Sequence, residues 1–156
     1  MRKTNYTAYI AIAAALVVSG CQTSTVDTME TTAVQHKVAD ISANDLARGK
    51  VQFRDANYGL AEQHFRQAVQ LRADNAEAWM GLAASYDQLG RFDFADRAYE
   101  QLLKLTGREP RVLNNIGYSH LLRGNKRKAR KLFREAQRHA PDDKVIAANL
   151  DLLATL

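Results

Sequence analysis

Between residues 42 and 156 the apolar positions recur on a fixed beat. Ala61, Ala95 and Ala129 stand 34 residues apart, as do Phe65, Tyr99 and Phe133, and as do Ala68, Leu102 and Ala136. Residues four and then three apart share one face of an α-helix, because 3.6 residues complete a turn. Half a unit upstream, Trp79, Leu82, Ala83 and Tyr86 draw a second such face, and Gly49, Ala83 and Gly117 keep the same period. A small residue at Ala83 or Gly117 lets the following helix come close, with Ala95 or Ala129 on the other side of that contact. Gly90 and Gly124 end the first helix of their pairs. Neither helix of a pair buries its apolar face alone, so successive pairs must stack to complete a core. The pattern predicts an all-α solenoid of three helical hairpins, 42–75, 76–109 and 110–143, followed by a closing helix over 144–156.

The repeating units resemble tetratricopeptide repeats. "AEAWMGLAASYDQLGRFDFADRAYEQLLKL" carries Trp79, Leu82, Tyr86, Gly90, Phe92, Ala95 and Tyr99 in register, and "PRVLNNIGYSHLLRGNKRKARKLFREAQRHAP" carries Leu113, Ile116, Gly117, Gly124, Ala129, Phe133, Ala136 and Pro141. In the first unit the likeness lies in the second helix, through Tyr58, Ala61, Phe65 and Ala68. Its first helix has Asp45 and Arg48 where large apolar residues are usual, which predicts a cap-like, weakly packed first repeat. The closing helix is rich in apolar residues. Val145, Ile146, Leu150, Leu152, Leu153 and Leu156 cannot all face the preceding repeat, so part of that surface is expected to meet a partner or a second copy in a homodimer.

The first 20 residues follow another plan. Arg2 and Lys3 precede an uncharged stretch from Tyr9 to Val18, and Ser19 and Gly20 close it. Basic start, short apolar centre and small-residue end are the parts of a secretory signal. The stretch is shorter than the roughly 20 apolar residues a membrane helix needs. Leu16-Val17-Val18-Ser19-Gly20-Cys21 resembles the lipobox of bacterial lipoproteins, which implies cleavage before Cys21 and acylation of its thiol. The alternative is an ordinary signal followed by a free thiol. Cys21 is the sole cysteine of the 156 residues, so no internal disulfide forms. Gln22 stands where aspartate acts as an inner-membrane retention cue in many bacteria, which tilts the expectation towards the outer membrane. Residues 21–41, rich in Thr and Ser, read as a lipidated flexible tether spanning roughly 25 Å, or alternatively end in a short helix over 34–41.

The chain's formal charge is +5, and removal of the signal leaves a mild +3. That charge is unevenly spread. Residues 110–143 carry nine basic and three acidic side chains, whereas 76–109 carry four against six. Lys126, Arg127, Lys128, Arg130, Lys131 and Arg134 form a basic patch. Export and a lipid anchor remove nucleic acid as a partner, leaving an acidic protein surface, anionic lipid or a cell-wall polymer, or simply a solvated convex face.

Catalytic chemistry finds no support. His36, His64, His120 and His139 lack the spacing of helical metal ligands, so no metal or other cofactor is expected. Ser119 in Gly117-Tyr118-Ser119-His120-Leu121 lies inside a repeat helix rather than on a strand-to-helix turn. His120 takes the slot filled by Tyr86 one unit earlier and reads as a packing residue. Trp79 likewise reads as core rather than as a ligand platform.

Resemblance to tetratricopeptide arrays implies a concave groove lined by the first helix of each pair. In register those positions are Lys50, Phe53 and Arg54, then Met80, Ala84, Asp87 and Gln88, then Arg111, Asn114, Asn115 and Tyr118, with Asn149 on the closing helix. Asn115 and Asn149 lie 34 apart, as a two-rung amide ladder for an extended peptide backbone or as hydrogen-bonding partners within the array. The lipobox and the repeats together resemble envelope-assembly lipoproteins, and "PRVLNNIGYSHLLRGNKRKA" looks most like the TadD-type lipoproteins of Flp pilus (tight adherence) machines. Pilotins of type IV pili and outer-membrane protein assembly lipoproteins share the plan. The implied role is an outer-membrane scaffold facing the periplasm, with a secretin or another envelope component as partner. The alternative is an accessory lipoprotein that docks or regulates peptidoglycan enzymes.

Overall fold

A computed structural model describes residues 42–156. The signal and tether, Cys21 among them, lie outside the described residues. Within them the chain forms α1 (42–54), α2 (Tyr58–Leu71), α3 (Ala76–Gln88), α4 (Phe92–Thr106), α5 (Pro110–Leu122), α6 (Lys126–His139) and α7 (Lys144–Thr155). Among the described residues there is no strand. None of these helices is long and apolar enough to cross a membrane.

The helix boundaries follow from local chemistry. Asn75 starts α3 by accepting the Ala78 N–H at 3.0 Å, and Asp143 starts α7 by accepting those of Val145 and Ile146 at 2.8 and 3.2 Å. Pro110 opens α5, where its missing N–H would have had no helical partner. At the other end, Gly90 and Gly124 have φ of 69° and 76°. In each case the next residue reaches back to close the helix, Arg91 N–H to Tyr86 C=O and Asn125 N–H to His120 C=O, both at 2.8 Å. This is the paired-bond end of a helix that a left-handed residue permits. The first repeat makes the same turn with Ala56, at φ 58° and 34 positions before Gly90. Asn57 N–H then bonds Gln52 C=O at 2.9 Å.

All nine positions of the repeating triplet, from Ala61 to Ala136, are at most 3% exposed. The helices pack as hairpins, α3 on α4 and α5 on α6, with α2 against α3 and α6 against α7. The expected contact through the small residues takes a different form. A Cβ on Gly117 would fall 2.7 Å from the Phe133 ring, and one on Gly49 2.7 Å from the Phe65 ring. The close neighbour is thus the aromatic one turn beyond Ala129, because a ring needs the space that a bare backbone leaves. The first repeat carries polar contacts beside the apolar packing of Ala61, Phe65, Ala68 and Val69 in the main core. Asp45 pairs with His64 at 3.0 Å, and buried Ser42 donates to Ala68 C=O at 3.4 Å.

Along the stack, α3 touches α5 and α5 touches α7, whereas α2, α4 and α6 make no contact with one another. The first helices therefore form a continuous inner row and the second helices fan outward. That difference in spacing curves the slab, and the inner row is its concave side.

Candidate functional site: the concave groove

Two adjoining cavities run along the inner row. The first, about 640 Å³, lies between α1 and α3 and reaches Arg111 on α5. Its floor is apolar, made by Val51, Phe53, Phe65, Met80, Gly81 and Ala84. Gly81 matters here, since a Cβ at that position would stand 2.4 Å from the Phe65 ring. Without one, the buried ring supports the floor directly. The rim is basic, with Lys50, Arg54 and Arg111 against a single carboxylate, Glu77. Glu77 is paired to Lys50 at 2.8 Å, and both guanidinium groups are exposed.

The second cavity, about 380 Å³, is lined by Phe53, Ala84, Asp87, Gln88, Tyr99, Asn115 and Tyr118. Asp87 lies at its base, 5% exposed. It accepts Tyr99 Oη on Oδ2 at 2.9 Å and Ser119 Oγ on Oδ1 at 2.6 Å. Burial pushes its carboxyl above the ordinary range, while Ser119, Tyr99 and the Arg123 charge pull the other way. Arg123 also donates to Ser119 Oγ at 2.7 Å and holds Asp96 through two bonds at 2.6 and 2.9 Å. Those bonds hold the Asp96 carboxyl below the usual range. The result is a polar clasp joining α3, α4 and α5. Burial alone would penalise Asp87, and the donors compensate it.

The groove residues expected from sequence fall into two groups. Lys50, Arg54, Met80 and Arg111 surround the first cavity, while Asp87, Asn115 and Tyr118 line the second. Asn114 is buried and accepts Asn149 Nδ2 at 2.9 Å, and Asn115 donates to Met80 Sδ at 2.6 Å. The amides thus bond within the array, joining α5 to α7 and to α3. Phe65, Gly81, Val51 and Glu77 were not expected in the groove. Counting 34 back from Asn115 and Arg111 leads to Gly81 and Glu77, so the repeat register contained that signal.

Elsewhere the six residues of the basic patch are exposed along α6, outside the groove. Lys126 donates to the Leu156 carbonyl. Trp79 packs partly buried on the main core and donates its indole N–H to Ala73 C=O at 2.8 Å. His120 is half-buried, and its Nδ1 has no hydrogen-bond partner. Burial, with the Arg123 and Lys128 charges, lowers its pKa. Among the described residues no three His, Cys, Asp or Glu converge as a metal-binding group.

An inner row of helices over a curved, mostly apolar groove is the architecture of a helical-repeat binding protein. Two family models describing tetratricopeptide repeats match residues 52–114 and 85–144, together more than half of the chain. The chain belongs to the tetratricopeptide-repeat proteins. Its fold is similar to that of the Arabidopsis OM64 tetratricopeptide domain, with TM-score 0.67, 17% identity, and coverage of 76% of this chain and 98% of that one. It is similar to Pseudomonas aeruginosa PilF at TM-score 0.66 and 22% identity, over 76% of this chain and 55% of PilF. PcrH, solved in complex with the chaperone-binding region of PopD, aligns at TM-score 0.64 and 22% identity, over 75% and 91%. At these identities the likeness is one of fold. No curated protein matches by sequence.

Proposed function

We propose that this protein is a lipid-anchored scaffold of the bacterial envelope, fixed to the outer membrane through Cys21 and holding a partner protein in its concave groove. The single observation that carries the binding half is the cavity of about 640 Å³ over Gly81 and Phe65, an apolar floor left open to solvent within a basic rim. A packed core leaves few such spaces, and a contiguous open apolar surface on a repeat array marks an interaction site. The anchoring half rests on the lipobox-like run before Cys21. Several acyl chains, at about 0.8 kcal/mol per buried methylene, make attachment effectively permanent.

Assembly of a pilus or secretion pore, in the manner of TadD-type lipoproteins, is the reading the sequence resemblance favours, with a secretin as partner. Docking of peptidoglycan enzymes is the second reading, and the polarised charge of the last repeat suits it through attraction to anionic wall polymer.

A photo-crosslinking residue at Ala84, which lines both cavities, tests the groove in intact cells. Adducts from position 84 but not from exposed Arg97 on the outer row support it, and equal labelling from both overturns it. Secretin subunits in the adduct favour the first role, hydrolases or synthases the second. Fractionation of Cys21→Ser tests the anchor. A soluble or unprocessed chain is expected, and unchanged recovery with outer membranes contradicts it.

A further inference from the structure

The groove changes character along its length. Positions 77, 84 and 88 of α3 line its cavities as Glu, Ala and Gln. The same repeat positions on α5 are Arg111, Tyr118 and Leu122, and in the last unit they are Val145 and Leu152 on α7 and Leu156 just past its end. At these three positions the inner row thus passes from partly charged to apolar, with Asn149 as a polar member of the last helix. Val145 and Leu156 are each 62% exposed, and Leu152 and Leu122 remain open at 43% and 41%. The Asn149–Asn114 bond ties α7 to α5 within this row. By register this apolar surplus falls on the concave side, beyond the two cavities, whose α5 lining is Arg111, Asn115 and Tyr118.

We infer that the groove takes a polypeptide segment of one chemical class, with acidic residues at one end and spaced apolar residues towards the other. The inference rests on the proposed reading that the concave face holds a protein partner, and it specifies that partner's bound segment. Its acidic end meets Arg54 and Arg111, neither of which has an ion-pair partner among the described residues. An apolar side chain nearby enters the hollow over Gly81 and Phe65. The far end lies on Val145, Leu152 and Leu156. A basic segment would meet two unpaired guanidinium groups at the rim, and Lys50 already satisfies Glu77. Neighbouring first helices pack about 8–10 Å apart, so the path from α1 to α7 is about 25–30 Å. An extended chain covers that with about eight or nine residues at about 3.3 Å each. A flat lipid surface does not follow a concave row, which favours a peptide over a bilayer as its occupant.

Three fluorescein-labelled decapeptides test this on the purified full chain by anisotropy. One has two Glu at one end and Leu at alternate positions of the rest, the second has Lys for Glu, and the third has Ser for Leu. The first is expected to bind at least tenfold more tightly than either other, and Arg54→Glu with Arg111→Glu should reverse the preference between the first two. Leu152→Ser should weaken the first peptide several-fold, while Arg97→Glu on the outer row leaves it unchanged. Circular dichroism checks that each variant remains helical. Equal binding of the Lys peptide, or insensitivity to the double arginine change, overturns the inference. So does sedimentation showing that Leu152→Ser converts a dimer to a monomer, because the α7 row then belongs to a second copy. If no peptide binds while Ala84 still crosslinks a partner, the segment class is wrong and the scaffold reading stands. If the crosslink fails too, the groove reading falls with it.

Discussion

Ser119 of α5 donates to Asp87 of α3 at 2.6 Å, while Tyr99 of α4 occupies the other carboxylate oxygen at 2.9 Å. One buried acid thus fastens the second repeat internally and to the third. Tyr99→Phe isolates this arrangement, because Phe65 and Phe133 fill the equivalent positions of the flanking repeats and the ring therefore fits. Loss of the hydroxyl should cost about 1.5–3 kcal/mol, the range for a hydrogen bond to a charged group, read from urea unfolding. The effect has a pH signature. Burial raises the Asp87 carboxyl, so the folded state holds that proton more tightly than the unfolded chain. Its contribution is fully present at low pH and is lost as pH rises through the folded value. Removing Tyr99's donation raises that value further, so the penalty should shrink from about pH 7 to about pH 4.

Ala56 makes a turn that glycine makes in the other two repeats, at φ 58°. A side chain in the left-handed region costs about 1–2 kcal/mol, partly offset by the greater chain entropy glycine loses on folding. Ala56→Gly should therefore stabilise the protein by up to about 1 kcal/mol, whereas Gly90→Ala and Gly124→Ala should each destabilise it by about that amount. A raised urea midpoint for the first and lowered midpoints for the others check the prediction. An unchanged or lowered midpoint for Ala56→Gly contradicts it.

His120 is expected to make stability fall in mild acid. Its pKa is lowered by burial and by the Arg123 and Lys128 charges, against a smaller opposing pull from Asp96. The unfolded imidazole, near about 6.5, binds the proton more readily than the folded one. Stability is thus present above that value and lost as pH falls towards and through the folded pKa. Tyr86 occupies the same slot one repeat earlier and donates to Glu62 at 3.1 Å. His120→Tyr should flatten the thermal-midpoint profile between about pH 7 and about pH 5. An equally steep profile assigns the loss to other groups.

Gly81→Ala adds one carbon where the Phe65 ring leaves 2.4 Å. Phe65 is buried at 3% exposure and can give way only towards the cavity it floors, so the change should cost about 1–3 kcal/mol as overpacking does. The thermal midpoint measures it, and Gly59→Ala, where a Cβ would meet nothing within 4 Å, is the control. Equal shifts for the two would contradict the close approach.

The nine core positions from Ala61 to Ala136 are legible in the sequence because a repeat imposes the same local burial every 34 residues. Register alone therefore places them, without knowledge of distant contacts. Gly90 and Gly124 are legible for the same reason, yet Ala56 is not, since matching by residue identity hides a turn kept by backbone geometry. The groove is half legible. Lys50, Arg54, Met80 and Arg111 follow from the first-helix register, whereas Gly81 and Phe65 form its floor by the absence of a side chain on one helix and a ring from another. The clasp at Asp87 is illegible, because its donors Tyr99 and Ser119 come from two other helices and neither announces its bond. Asn115 and Asn149 match by period, but their partners Met80 and Asn114 emerge only when the helices stack.

The two junctions along the inner row are held by unlike means. Between the first and second repeats the Phe65 ring sits against two bare backbone positions, Gly49 and Gly81, flanked by the Tyr86–Glu62 and Lys50–Glu77 bonds. Between the second and third, Asp87 fixes the angle through directional bonds. Each seam is therefore open to a different injury: a methyl added at Gly81 crowds the ring at the first, whereas loss of the hydroxyl at Tyr99 or Ser119 strands a buried carboxylate at the second.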